Sequence, residues 1–153
     1  MSCFSEKQVH VPVLISSIID KISPIEGVWI DGTFGAGGYT EAILEAGANY
    51  VIGIDRDPEV EIHATKALKE NSGRFSFVCD KFSNLCIVSK KLGFEKVKGV
   101  ILDLGVSSMQ LDQASRGFAF RFNAPLDMRM SKSGITVEEV VNKLSESELA
   151  DIF

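Results

Sequence analysis

Four aspartates, Asp31, Asp55, Asp80 and Asp103, stand at the ends of short apolar runs ("VWID", "YVIGID", "FSFVCD", "VILD"), and the first leads straight into "GTFGAGGYT". A glycine-rich turn between a strand and a helix lets a ligand approach the backbone and presents the unpaired N–H groups of the helix start. Asp55 follows the loop by about 20 residues, where a ribose-binding acid is expected in nucleotide-binding βαβ units. The loop supplies G-x-G but no glycine three residues later, so by itself it leaves open a structural turn, a dinucleotide or another nucleotide-type ligand. Asp31 shifts that division. A carboxylate directly before the loop disfavours a pyrophosphate and tolerates a cationic amine. S-adenosylmethionine fits this electrostatics, with a ribose for Asp55, an adenine to lie near a residue such as Phe82, a cationic sulfonium and amine, and no phosphate. A plainer reading of Asp31, as a cap on backbone amides of the loop, carries equal weight and keeps it out of the candidate site.

The elements that must position these residues can be read from spacing. Leu14, Ile15, Ile18, Ile19 and Ile22 share one helical face. Helical segments then separate the four β-rich runs: Thr40 to Ala46, ended by Gly47; a helix to about Leu68 with Asp57 as N-cap and Pro58 in its first turn; and one capped by Ser83 that bears Leu85, Val88 and Leu92 before Gly93. This alternation predicts parallel βαβ units, whose right-handed crossovers place all four acids along one rim of the sheet. After Leu104 the pattern becomes loop-like. Capping boxes at Thr136/Glu139 and Ser145/Glu148 then open two helices, the first with Val137, Val140, Val141 and Leu144 as its apolar stripe. The second helix has barely begun at Phe153, so the chain reads as part of something longer.

Composition narrows the partners. With 153 residues, 45% of them hydrophobic, and a net charge of -5, the chain suits one core and does not coat nucleic acid by bulk charge. Cys3, Cys79 and Cys86, with His10 and His63, show no zinc or disulfide spacing, so no metal is expected, and Cys79 and Cys86 read as buried hydrophobes. The N-terminus lacks a signal-peptide pattern and no window is apolar enough to span a membrane, which reads as a cytoplasmic protein.

The segments "HVPVL", "DGTFGAGGYT", "GIDRDP", "LDLGVSSMQLD", "RGFAFRF" and "PLDMRM", in that order, closely resemble the bacterial 16S ribosomal RNA cytosine-N4 methyltransferases. The resemblance runs from His10 to Phe153 and covers the family's N-terminal half. It implies a Rossmann-like α/β fold for an S-adenosylmethionine-dependent methyltransferase, a parallel sheet of which only the first strands are present. Residues 1–110 would form the N-terminal part of that domain, and 111–153 the loop and first helices of a helical insertion. The activity implied is methylation of the exocyclic N4 amine of a decoding-region cytosine in 16S rRNA, so the partner is the small ribosomal subunit rather than DNA or a membrane. Position by position, the resemblance assigns Gly37, Gly38 and Tyr39 to the methionine side of the cofactor and Asp55 to its ribose, with Phe82, Asp103 and Gln110 completing the set. Tyr39 stands where many members have histidine, Met109 where many have proline, and "NAPLDMRM" replaces the usual "DGPLDMRM".

A cytosine amine is a poor nucleophile because its lone pair is delocalised, so an acceptor for the amine hydrogens would help it react. Asp103 and the "GVSSMQ" loop stand where such an acceptor is needed, yet the usual amino-methyltransferase tetrapeptide is absent and no catalytic residue is nominated. Ser107 and Ser108 read more readily as turn formers than as base contacts. From Arg116 to Lys132 there are four cations (Arg116, Arg121, Arg129, Lys132) against Asp127, a local charge of +3, interleaved with Phe118, Phe120 and Phe122. That composition suits unstacked RNA bases. The spacing alone favours a buried strand or an anchor for the phenylalanines, and a core position for Met128 and Met130. Two other functions remain open from the residues: a nicotinamide-dependent oxidoreductase using the same loop and Asp55, and a truncated binder of cofactor or RNA without catalysis.

Overall fold

The computed structural model describes residues 14–152, which form two compact units. Among the described residues, the first comprises 14–55 and 59–103; the second comprises 56–58 and 104–152. The motif around His10, and Cys3, lie outside the described residues.

The first unit is a four-stranded parallel sheet with flanking helices, a Rossmann-like arrangement. Its strands are β1 (Val28–Asp31), β2 (Tyr50–Asp55), β3 (Phe75–Cys79) and β4 (Gly99–Ile101), in the order β3-β2-β1-β4. Helices α1 (Ile15–Ile22), α2 (Gly38–Glu45), α3 (Glu61–Glu70) and α4 (Leu85–Lys91) alternate with them. The chain steps outward from β1 through β2 to β3 and then crosses back to β4, so the order reverses beside β1. Ligands of open α/β sheets bind beyond the strand C-termini at such a reversal. The register sets Asp31 between Gly53 of β2 and Ile101 of β4, and Asp55 beside Cys79 of β3.

Alternation along each strand divides the core in two. Ile30, Ile52 and Ile54 pack with Val88 of α4, joined by Val28, Tyr50, Val78, Leu85, Phe94 and Val97. The other set of strand positions includes Trp29, Val51, Gly53 and Phe75, on the side where right-handed crossovers carry α2 and α3. Ile43 and Leu44 of α2, with Ala64 and Ala67 of α3, are buried, and α1 adjoins α2. Phe34 of the glycine loop stacks on Phe75, with ring centroids 5.5 Å apart, over the space left by Gly53. On the opposite flank the indole of Trp29 lies against Gly99 of β4, and its Nε1 donates to the carbonyl of Glu26 at 3.0 Å.

Several local expectations change. Ser83 falls inside a 3-10 turn (Phe82–Asn84), and Asn84 is the residue before α4, with no side-chain cap. The carboxylate of Asp80 braces that turn instead, accepting from Lys81 N and Asn84 Nδ2. Cys79 and Cys86 are exposed rather than buried, Cys86 lying on the outward side of a helix only two turns long. Among the described residues no helix is long and apolar enough to cross a membrane.

In the second unit, α5 (Ser108–Asp112) and a 3-10 turn (Ala114–Arg116) break what the sequence offers as continuous loop; α6 (Val137–Lys143) and α7 (Glu146–Ile152) follow their capping boxes. A third box sits at Ser107 and Gln110 and starts α5. Residues 118–122 form no strand. Phe120 is fully exposed and Phe122 about one-third exposed (36%), because the period-two phenylalanines lie on a turn with no sheet to cover them. Met128 is likewise exposed, with a left-handed backbone (φ 55°) that turns it away from the core position its sequence context suggests. Met130 is half-buried.

Gly53 tests the packing of the first unit. A β-carbon there would lie 2.8 Å from Phe34 Cδ2 and 2.9 Å from Phe75 Cε2, so Gly53→Ala is expected to destabilise by about 1–3 kcal/mol. Urea denaturation measures it; a midpoint equal to the parent's would mean the ring pair moves aside freely.

Candidate functional site

The glycine loop, which continues β1, is held by bonds to the two strands that flank it. Gly32 N donates to Ile101 O (2.9 Å), Phe34 N to Ile54 O (3.0 Å), and Gly35 N to the carboxylate Oδ2 of Asp55 (2.8 Å). Asp103 N donates to Thr33 Oγ1 at 2.7 Å. The loop is thereby tied to the ends of β2 and β4. Gly37 needs to be glycine twice over: its φ is +90°, and a β-carbon would lie 3.1 Å from the Phe34 ring.

Gly37 is also the residue before α2 and has no side chain with which to cap it. Asp31 takes that role from the end of β1. It accepts from Thr33 N (3.3 Å) and Thr40 Oγ1 (2.8 Å), and the Thr40 backbone N–H also bonds it. Its carboxyl is completely buried, and that burial pushes its pKa up to about 6 against the pull of these hydrogen bonds; the nearby charge of Asp55 raises it further. The capping reading of Asp31 therefore describes its contacts. Burial likewise raises Tyr39, with Asp103 and then Asp31 adding to the shift. Phe82 is exposed, and its Cβ lies beside the space above Gly32.

The first unit thus brings six of the sequence-derived positions together around one loop: Gly37, Gly38, Tyr39, Asp55, Phe82 and Asp103. Gln110 belongs to the second unit, where it is buried. Its Nε2 donates to Asp57 Oδ2 at 2.8 Å and its Oε1 accepts from Ser107 N at 3.0 Å. Ser107 Oγ accepts from Gln110 N, so Ser107 shapes a helix start. Sequence reading missed Thr33 and Thr40 as the hydroxyls that organise the loop; their only signal is their place beside Asp31 and Gly38 in the quoted motif. It also passed over the S-x-x-Q spacing that marks α5.

The basic segment is more neutral than its local sequence suggests. Arg116 pairs with Asp57 (2.9 Å), Arg121 with Asp112 (2.5 Å) and Arg129 with Asp127 (2.6 Å). Arg121 also lies over the Phe122 ring, 4.8 Å from its centroid. Among the described residues no group of three or more His, Cys, Asp or Glu side chains is placed to hold a metal ion.

The donor set around the loop suits a cation-bearing nucleoside. Three carboxylates, Asp31, Asp55 and Asp103, surround a turn whose glycines leave the backbone accessible, and such a field repels phosphate while it attracts a sulfonium or an ammonium. The sequence profile of the MraW methylase family matches residues 7–153. Three relatives carry the name ribosomal RNA small subunit methyltransferase H. That of Maricaulis maris is 50% identical over 94% of this chain and 43% of its own length, that of Brucella anthropi 56% over 94% and 42%, and that of Rhodopseudomonas palustris 49% over 94% and 43%. The chain therefore spans less than half the length of these curated relatives.

Asp31 generates a pH prediction. Its folded-state pKa lies above the unfolded value of 3.8, so the folded form binds its proton more tightly and the group's stabilising contribution is fully present only below about pH 4. That contribution falls as pH rises through 6, by about 3 kcal/mol in all. Asp31→Asn is neutral throughout and keeps an acceptor for Thr33 N. It is expected to be more stable than the parent at pH 7.5, with the advantage gone by pH 4; a stability difference independent of pH in denaturant titrations would contradict this account.

Proposed function

Because the chain belongs to the MraW methylase family, we propose that it forms the cofactor-holding part of an S-adenosylmethionine-dependent rRNA methyltransferase. Its substrate is the exocyclic N4 amine of a cytosine in the decoding region of 16S rRNA, within the small ribosomal subunit of the cytoplasm. The observation that carries the cofactor choice is the ring of carboxylates around the glycine loop.

In this reading Gly37 and Gly38 let the methionine end of S-adenosylmethionine approach the backbone at the start of α2, beside Tyr39. Asp55, already fixed through Gly35 N, holds the ribose hydroxyls, and the exposed Phe82 ring offers a face to adenine. Asp103 and Gln110 complete the set. When bound, S-adenosylmethionine supplies an electrophilic methyl carbon on a positively charged sulfur. The chain's own contribution is to hold donor and acceptor in line and to accept the amine hydrogens of the cytosine. Asp103 suits that second task because its backbone N–H is pinned by Thr33 Oγ1 while its side chain is exposed.

Isothermal titration of the 153-residue chain with S-adenosylmethionine, with NADH as the control, tests this. Saturable binding is expected, and Asp55→Ala should weaken it about tenfold to a hundredfold through the loss of charge-assisted hydrogen bonds. Binding of NADH in preference, or a folded chain that takes up no S-adenosylmethionine, would sink the reading.

A further inference from the structure

The ladder between β1 and β4 ends at Ile101, with Gly32 N donating to Ile101 O at 2.9 Å. The first unit continues for two more residues, Leu102 and Asp103, and both are exposed. Among the described residues they make one hydrogen bond, from Asp103 N to Thr33 Oγ1 at 2.7 Å. The direction in which the Asp103 carboxylate is presented therefore depends on a single hydroxyl of the glycine loop.

Thr33 suits that task in three respects. Its backbone is anchored, because Thr33 N donates to Asp31 Oδ1 at 3.3 Å and that carboxyl is completely buried. Its branched Cβ restricts χ1, which keeps the hydroxyl pointing one way. Its oxygen is the acceptor in a bond at the short end of the normal N–H···O range. Order imposed by a buried acid at the end of β1 thus passes through one side chain to an exposed acid just past the end of β4. The Asp103 carboxylate is close enough to the start of α2 for its charge to act on Tyr39, whose phenol is raised first by burial and then by Asp103. The bond contributes little to stability, since it lies at an exposed position where the Asp103 amide finds water once the hydroxyl is gone. What it supplies is direction.

We infer that Thr33 is a positioning residue for cofactor binding that acts through Asp103. The inference rests on the assignment of Asp103 to the S-adenosylmethionine site, and it adds a loop residue that the assigned set passes over.

A double-mutant cycle read by calorimetric titration of the 153-residue chain with S-adenosylmethionine tests it, with circular dichroism to confirm folding. Asp103→Ala should weaken binding about tenfold, as expected for a lost charge-assisted hydrogen bond. Thr33→Val keeps the branched shape and removes the acceptor; it should weaken binding about fivefold in the parent but by less than about twofold in the Asp103→Ala background. Thr33→Ser keeps the oxygen and should lose no more than about twofold. Thr33→Ala replaces the valine variant if that does not fold. Without cofactor, hydrogen exchange at the Asp103 amide, followed by NMR, should quicken in Thr33→Val and not in Thr33→Ser. Equal losses in both backgrounds would show a merely structural role and overturn the inference. So would a serine variant as weak as the valine one, an Asp103 amide that exchanges no faster in Thr33→Val, or unchanged affinity in Thr33→Val or Asp103→Ala. Those outcomes leave the cofactor reading standing, whereas a folded parent chain that does not bind S-adenosylmethionine brings down both.

Discussion

The first unit turns on one carboxylate with no access to water. Glycines must occupy the strand-to-helix turn if a ligand is to touch backbone, and a glycine cannot cap the helix it precedes. Asp31 resolves this conflict from the end of the central strand, bonding Thr33 and both the hydroxyl and the amide of Thr40. Those hydrogen bonds, made against the cost of desolvating the carboxylate, fix the loop's path. Everything else around the loop follows: Gly35 meets Asp55, Thr33 meets the backbone of Asp103, and Phe34 folds down over Gly53.

Much of this architecture was legible in the sequence wherever local pattern and tertiary packing agree. The run "YVIGID" and β2 coincide, and the boxes at Thr136 and Ser145 begin helices because a cap is a bond between residues three apart. The same logic was available at Ser107 and Gln110, hidden by the glycine and serine residues that make the stretch look like loop. Misreadings arose where burial depends on partners far along the chain. Cys79 closes a strand at the sheet's edge, and Phe120 has alternate spacing but no neighbouring strand to pair with.

The basic segment shows the limit of counting charges within a window. Arg116, Arg121 and Arg129 have carboxylate partners, two of which, Asp57 and Asp112, lie outside the stretch counted. One of those pairs is buried; the other two are at least partly exposed, where an ion pair contributes little to stability. Phe120 is presented to solvent beside them in sequence, while Arg116 is committed to the interior.

The chain contains a single tryptophan, and its ring is clamped between β1, which carries it, and the glycine of β4. Its emission is thus a private optical channel for the seam where β4 joins the sheet. Light collected from this protein therefore reports the seating of that strand within the first unit, without attaching a dye.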